Sequence, residues 1–396
     1  MQGGLRRHST VIGALLGAAA AIGATSETAR SSRLYWWLTD RVATPLLRRI
    51  PDPETAHNVS VFLLKARLGP IAPKSTKNSE ILKTKVFGLD FESPLGLAAG
   101  FDKQATAYNA LLDMGFAFVE VGGITPKPQP GNPKPRMFRL EEDEAVINRY
   151  GLNSEGHVAV ASRLLARDQR KGYVGVNLAK NSVPNAGDFA SDYVLGVETL
   201  GPVSDFIVLN VSCPNVKYTK DMKDDELKSL VMAVRAARDR VCQDVPFLIK
   251  VGPDMNDGAK QKIATIAIEC GVDGLVVTNT TSTRPDVLTS SNKVETGGLS
   301  GKPLKGMATE TLRDLYRLTN GAVPIIGVGG ISSGRDAYER IRNGASLIQV
   351  YTALAYQGPG LVTRIKEELQ ELVIKDGFKN ISECVGIDVD GVSRTR

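Results

Sequence analysis

The apolar run Phe206-Ile207-Val208-Leu209 opens into Asn210-Val211-Ser212-Cys213-Pro214-Asn215-Val216. A buried strand that ends in two amides, a hydroxyl, a thiol and a stiffening proline delivers polar groups to one place, as catalytic loops on a rigid scaffold do. Other apolar runs end in a similar way: Gly100-Phe101-Asp102-Lys103, Gly122-Gly123, Asn177, Lys250, Thr278-Asn279-Thr280, Gly329-Gly330 and Tyr351-Thr352 all stand at or just past such ends. An asparagine inside an apolar strand is costly unless a partner satisfies it, so several converging amides imply a polar, planar guest. Taken singly, each is more often a turn residue than a ligand.

Lys250 closes Leu248-Ile249-Lys250 and would be expensive to bury without a negative partner. A flavin whose reduced ring carries negative charge would supply one. A Schiff-base lysine is the alternative, although no aldolase companion set is apparent. Gly327-Val328-Gly329-Gly330 and the later hydroxyls have the placement of a phosphate site, where backbone N–H groups and a helix N-terminus receive an anion.

The elements that must position these groups are eight short apolar runs: Leu95 to Ala98, Ala117 to Val121, Val174 to Leu178, Phe206 to Leu209, Phe247 to Val251, Gly274 to Val277, Pro324 to Val328 and Leu347 to Tyr351. Helix-like stretches such as Leu227 to Val241, Lys260 to Cys270 and Met307 to Leu318 separate most of them. The alternation predicts an α/β fold, a (β/α)8 TIM barrel, whose active groups stand past the C-terminal strand ends. A doubly wound sheet is the competing architecture, but no first βα unit carries a GxGxxG turn. A short hairpin is expected over Val86 to Phe91.

The 396 residues carry a formal charge of +6, but residues 1–49 hold seven Arg against two acids, which accounts for five of those six charges. The basic balance therefore describes the N-terminus and gives no nucleic-acid groove. Cys213, Cys242, Cys270 and Cys384 form no CxxC pair and no zinc spacing with the histidines, so reduced thiols and no metal are expected. Arg6, Arg7 and His8 precede an apolar run from Val11 to Ala24, with no acid before Glu27. That fits a mitochondrial presequence merging into a single membrane segment, with a secretory signal as the rival. Leu34-Tyr35-Trp36-Trp37-Leu38, flanked by Arg33, Arg41, Arg48 and Arg49, suits a membrane interface. A second helix is punctuated by Asp52 as N-cap, Pro53 at its first position and Gly69-Pro70 as its stop. These helices either lie on a bilayer or pack on the core as an ordinary hairpin. The expected division is residues 1–30 as targeting and membrane segment, 31–72 as a helical domain and 73–396 as the barrel.

From about Asp52 to Gly386 the sequence resembles the dihydroorotate dehydrogenase family, and within it the membrane-linked, quinone-reducing class. The resemblance rests on AAGFDK (Ala98 to Lys103), TPKPQPGNPKPRMFRL (Thr125 to Leu140), INRYGLN (Ile147 to Asn153), GVNLAKN (Gly175 to Asn181), VTNTT (Val277 to Thr281), GGLSGKPL (Gly297 to Leu304), IIGVGGISSG (Ile325 to Gly334) and YTAL (Tyr351 to Leu354). It implies an FMN-dependent barrel that oxidises dihydroorotate to orotate and passes electrons to ubiquinone, at the mitochondrial inner membrane and in contact with its lipid. By motif match, Ala99, Gly100, Gly123, Asn177, Asn210, Lys250, Thr278, Gly301, Gly330, Tyr351 and Thr352 hold FMN, the last three around its phosphate. Lys103, Asn148, Arg149, Tyr150, Gly151, Leu152, Asn210, Asn215, Asn279 and Thr280 hold the substrate. His57 and Arg139 match the quinone tunnel, which residues 31–72 would enclose.

One departure stands out. The membrane-linked class usually has a serine base, whereas Cys213 occupies that position here, as in the soluble class. A soluble-type oxidase using fumarate is thus the nearest alternative, and the N-terminal helices speak against it. An RNA-binding flavoprotein resembling the tRNA dihydrouridine synthases would need a basic barrel surface, which the charge distribution denies. The Lys- and Asp-bearing stretch from Lys217 to Asp225 is either a lid or a solvated turn.

Overall fold

The computed structural model describes residues 26–73, 79–167, 172–182, 190–212 and 224–392. A hairpin of β1 (Thr84–Val86) and β2 (Leu89–Phe91) precedes a closed parallel barrel. The barrel strands are β3 (Leu95–Leu97), β4 (Phe118–Ile124), β7 (Tyr173–Leu178), β8 (Phe206–Asn210), β9 (Phe247–Val251), β10 (Gly274–Val277), β12 (Ile325–Val328) and β13 (Ala345–Val350). They pair in the order β10-β12-β13-β3-β4-β7-β8-β9, and closure of the ring rules out the doubly wound alternative. Every apolar run named above contributes one of these strands.

Both faces of each strand are covered, which is why the strands read as continuous apolar runs instead of alternating ones. Outward residues such as Val119, Val176, Ile207 and Ile249 pack against the surrounding helices. Inward residues Phe118, Phe206, Val208, Leu248, Val276, Ile326 and Leu347 fill the barrel. Val86 and Phe91 join this inner cluster, so the hairpin closes the N-terminal end of the barrel as a plug. The large rings fit because glycines face them: a Cβ on Gly175 would lie 2.0 Å from the Phe206 ring.

Helices α5 (Tyr108–Asp113), α6 (His157–Leu165), α7 (Ser191–Leu200), α8 (Asp224–Val241), α9 (Asp257–Glu269), α10 (Lys305–Leu318), α11 (Gly334–Arg342), α12 (Thr352–Gln357) and α13 (Leu361–Lys375) follow the strands. At the C-terminal end of the barrel the sequence analysis missed a three-stranded antiparallel sheet, in the order β11-β6-β5. It is built of β5 (Met137–Leu140), β6 (Ala145–Asn148) and β11 (Gly298–Gly301). Its small core holds Leu140, Ala145, Ile147, Leu288 and Leu299. Strand β11 comes from a segment far along the chain, so no local pattern could announce the pairing.

The N-terminal helices are α1 (Glu27–Arg30), α2 (Arg33–Leu38), α3 (Thr44–Arg48) after a π-helical turn at Thr39–Ala43, and α4 (Pro53–Lys65). The Asp52 cap is present, its carboxylate accepting from the backbone of Glu54 and Thr55. The expected stop at Gly69-Pro70 is not where α4 ends: it finishes at Lys65, and Arg67 takes a left-handed conformation with φ 58°. Trp36 Nε1 donates to the Ile71 carbonyl at 3.0 Å, turning one tryptophan inward. Leu34, Trp37, Val42 and Phe62 stay exposed. No helix among the described residues is long and apolar enough to cross a membrane, and the Val11 to Ala24 run lies outside them.

One buried ion pair fastens α4 to the barrel. Arg136 donates to Glu54 through Nε (3.0 Å) and Nη2 (2.9 Å), while Nη1 donates to the carbonyls of Pro130 (2.7 Å) and Asn132 (2.8 Å). Burial pushes the Glu54 carboxyl up, but the bonds from Arg136 and Lys134 outweigh it and hold it below its usual range. Glu54→Ala leaves this guanidinium without its counter-ion, an arrangement that costs about 3–5 kcal/mol where the charge stays buried. Thermal melting is expected to show that loss, with Glu54→Gln milder; a Glu54→Ala melt within a degree of wild type would refute the pair as the fastening.

Candidate active site

Four side chains from four strands meet inside the barrel. Glu120 of β4, Asn177 of β7, Lys250 of β9 and Gln349 of β13 are 0, 0, 5 and 0 % exposed. Glu120 Oε1 accepts from Asn177 Nδ2 (2.6 Å) and Lys250 Nζ (3.2 Å), and its Oε2 accepts from Gln349 Nε2 (2.8 Å). The negative partner that Lys250 requires is therefore a residue of the chain, and not only the cofactor anticipated from sequence. Sequence reasoning missed Glu120 because it was absorbed into the run from Ala117 to Val121. The signal was available: an acid inside a fully apolar strand demands a buried partner just as the lysine does.

An amide ladder rises from this base. Asn210 Nδ2 donates to Asn177 Oδ1 (3.1 Å), and Asn279 Nδ2 donates to Asn210 Oδ1 (3.3 Å). Ser212 Oγ donates to the Lys250 carbonyl (3.0 Å) and accepts from Asn279 Nδ2 (3.3 Å). Ser212 thus braces the end of β9. Cys213 and Asn215 lie outside the described residues, as does the stretch from Lys217 to the start of α8.

The ladder forms the floor of two adjoining cavity lobes. One, of about 80 Å³, is lined by Ala99, Lys250, Thr278, Gly301, Gly330, Tyr351 and Thr352. The other, of about 140 Å³, is lined by Gly100, Gly123, Asn177 and Asn210 and by Lys103, Asn148, Tyr150, Gly151 and Leu152. Lys250, Asn279, Thr280, Ala99, Tyr351 and Thr352 belong to both. Every residue expected around the cofactor lines one lobe or both, and so does each described substrate residue except one. Arg149 is turned away: its Nη1 donates to Glu295 Oε2 (2.6 Å) and to the Thr296 carbonyl (3.1 Å), and its guanidinium covers the Phe138 ring. The reason is that the alternation of β6 runs on past its end at Asn148, so Val146, Asn148 and Tyr150 face the cavity while Arg149 does not.

The first lobe has the features of an anion cradle. Gly330, at φ +72°, passes so close to the start of α10 that a Cβ there would lie 2.5 Å from the Lys305 backbone. Behind it Arg340, 1 % exposed, donates to the carbonyls of Val328 (2.9 Å) and Gly329 (2.7 Å), and burial pushes it down to about 10. The hydroxyl of Thr278 and the amide oxygen of Gln349, both bordering this lobe, are buried with no hydrogen-bond partner among the described residues. Two unfilled polar atoms, a cation and a glycine turn suit a planar group with an anionic tail.

A third cavity, of about 210 Å³, lies between the N-terminal helices and the barrel. Its walls are largely apolar, including Leu47, Leu64, Met137 and Leu354, and its polar members include His57 and Arg139. Arg139 Nη1 donates to the carbonyls of Arg48 (3.1 Å) and Ile50 (2.9 Å), and burial lowers its pKa. The His57 ring stands edge-on to Phe101, 5.2 Å between centroids, and 6.4 Å from Tyr351. Tyr351 lines this cavity and both lobes.

The family model described as dihydroorotate dehydrogenase matches residues 81–373. The mouse mitochondrial dihydroorotate dehydrogenase (quinone) is 47% identical over 354 residues, 87% of this chain and 89% of its own length. The Rhodospirillum rubrum dihydroorotate dehydrogenase (quinone) is 47% identical over 88% of this chain and 94% of its own. Among solved structures, the Eimeria tenella DHODH complex with ferulenol superposes with a TM-score of 0.81 at 42% identity, covering 88% of this chain and 98% of that one.

His57 makes a pH prediction. Burial first, and then the charge of Lys103, push it down to about 4 from an ordinary 6.5. Because the folded value is depressed, the unfolded chain takes up the proton first, and stability falls as pH drops from 6.5 toward 4. The His57 share of that loss between pH 6.5 and 4.5 is about 2 kcal/mol by linkage. His57→Phe keeps an aromatic ring against Phe101, so denaturant melts at the two pH values should show that much less acid sensitivity. An unchanged slope would mean the ring is not held neutral.

Proposed function

The chain belongs to the dihydroorotate dehydrogenase family, and we propose from that premise an assignment of cofactor, residues and membrane setting. It oxidises dihydroorotate to orotate with a quinone as acceptor, in pyrimidine biosynthesis. The assigned cofactor is FMN, which when bound would accept hydride from the substrate and pass its two electrons on to the quinone. Its ring would rest on Asn177, Asn210 and Lys250, and its phosphate would sit at Gly330, Tyr351 and Thr352. The observation that carries this reading is the ladder Asn177–Asn210–Asn279 standing on the Glu120–Lys250 pair between two lobes. Alternating donors and acceptors in one file suit rings whose edges alternate N–H and C=O.

The residues of the chain would act as follows. Lys103, Asn148, Asn215, Asn279 and Thr280, with the Tyr150 to Leu152 segment, hold the substrate carboxylate and ring amides. Cys213 removes the proton from carbon 5 while hydride leaves carbon 6. A free thiol titrates near 8.5, so a fraction is thiolate at neutral to mildly alkaline pH, and the thiolate is the stronger base in the ground state than a hydroxyl. Met137, Val146, Asn148, Ser300 and Gly301 of the β5-β6-β11 sheet wall the lobes, which would limit water around the transfer.

The quinone, ubiquinone in this reading, would enter through the cavity of His57 and Arg139, with residues 31–72 as its entrance domain and 73–396 as the catalytic barrel. Exposed Leu34, Trp37, Val42 and Phe62 support contact of that domain with lipid. Relatives named as mitochondrial support an inner-membrane location, with residues 1–30 as targeting and membrane segment. The fumarate-using alternative leaves this apolar cavity without an occupant.

The decisive measurement is the visible spectrum of the purified chain, with flavin bands expected that bleach on adding dihydroorotate. Cys213→Ala should still bind substrate but bleach slower by roughly 10² or more, the usual worth of a positioned general base. Cys213→Ser should keep partial activity with its pH dependence displaced upward. Near-normal bleaching in Cys213→Ala alongside a crippled Ser212→Ala would move the proton transfer to Ser212. Removing residues 33–70 should abolish turnover with a long-chain quinone and leave bleaching by dihydroorotate intact. Unchanged quinone turnover in that truncation would favour the soluble-type reading.

A further inference from the structure

Glu120 borders neither cavity lobe, yet it holds the lysine that does. Its strand and that of Lys250 are separated in the barrel by β7 and β8, so the two side chains reach each other across the interior. Among the described residues Lys250 is the one cation within 4 Å of Glu120, and Asn177 and Gln349 supply its neutral donors. The ammonium of Lys250 is therefore already part-compensated before anything binds above it. This matters for a ring that gains negative charge when reduced. An uncompensated ammonium would favour the reduced ring strongly over the oxidised one, whereas an ion-paired ammonium favours it less.

We infer that Glu120 is a positioning residue that, through Lys250, sets the balance between reduced and oxidised cofactor and keeps the reduced form from being held too tightly. The inference rests on FMN occupying the two lobes. Two of its consequences oppose each other: the carboxylate aims the ammonium at the ring, and it weakens the field of that ammonium. Removing the charge while keeping the shape separates them. In Glu120→Gln the new amide can still accept from Lys250. Its new NH2 faces Gln349 Nε2, so it donates there only once the Gln349 amide turns over and presents the oxygen that has no partner among the described residues. That turn moves the Gln349 NH2 to the side of the smaller lobe, which Gln349 lines.

The test is the flavin midpoint potential, read by equilibration with a redox dye, together with FMN content. Glu120→Gln should retain FMN and raise the affinity ratio of reduced to oxidised cofactor tenfold or more, an upward shift of about 30 mV for a two-electron couple. Glu120→Asp, which draws the carboxylate back by one methylene, should shift the same way by less. It carries the test if Glu120→Gln does not fold. In a Lys250→Met background, adding Glu120→Gln should move the potential far less than it does in the native background. A merely structural Glu120 would lose FMN without moving the potential of the fraction that stays loaded. Unmoved potentials in the loaded Glu120 variants overturn the inference, and so does an equal shift in the Lys250→Met background. A wild-type chain that takes up no FMN instead overturns the reading beneath it.

Discussion

A negative charge enclosed in a largely apolar barrel has to be answered from inside the barrel. Glu120 is answered by Lys250, Asn177 and Gln349, each on a different strand. This is possible only in one register: Glu120 lies opposite Gly175, and Asn210 lies opposite Lys250. Sliding any of the strands by one residue would turn its polar side chain out toward the helices and leave the carboxylate buried alone. Buried ion pairs contribute little net stability, since desolvation takes back most of the Coulomb gain, but breaking one costs several kcal/mol of order 3–5. The arrangement is thus better understood as fixing register and presenting amides than as strengthening the fold.

Everything above the pair inherits its position. The amide ladder grows from Asn177, and Ser212 is tied to the Lys250 carbonyl, so the end of β8 and the end of β9 are held in one frame. The anion cradle is supported by the same device applied to backbone: Arg340 is spent on the carbonyls of Val328 and Gly329 and never reaches the cavity. In both places a buried charge positions groups that line the lobes without lining them itself. The third instance is Arg136, which gathers Glu54 and two loop carbonyls and so fits the N-terminal helices to the barrel.

How much of this was legible in the sequence depended on distance along the chain. The eight strands, the Asp52-Pro53 helix start and the polar strand-end residues could be read because each shows itself within a few positions, as a short apolar run, a cap or a polar residue at a strand end, whereas Ala99, Gly301, Asn148 and Tyr150 to Leu152 came from the family resemblance alone. Glu120 and Lys250 are 130 residues apart, and neither identifies the other. The pairing of Gly298–Gly301 with Ala145–Asn148 escaped for the same reason. Arg149 was misjudged in a different way: a contiguous motif was assigned as a block, although alternation along an extended chain sends neighbours to opposite faces. The end of α4 at Lys65 shows a further limit, since a non-glycine residue, Arg67, takes a left-handed conformation ahead of the expected Gly69-Pro70 stop.

Tyr351 forms part of the wall of all three cavities. Its hydroxyl donates to the Gly100 carbonyl at 3.3 Å, its ring leans on Phe101, and it immediately precedes α12. One ring thus serves as a partition shared by three compartments, and whatever fills one of them presses on the boundary of the others. Ligands of separate compartments that touch the same movable wall alter each other's affinity by equal factors, as linkage requires. A molecule lodged beside His57 would then meet one in the smaller lobe at this ring alone, whereas Met137, Val146 and Ala355 also stand between the His57 cavity and the larger lobe.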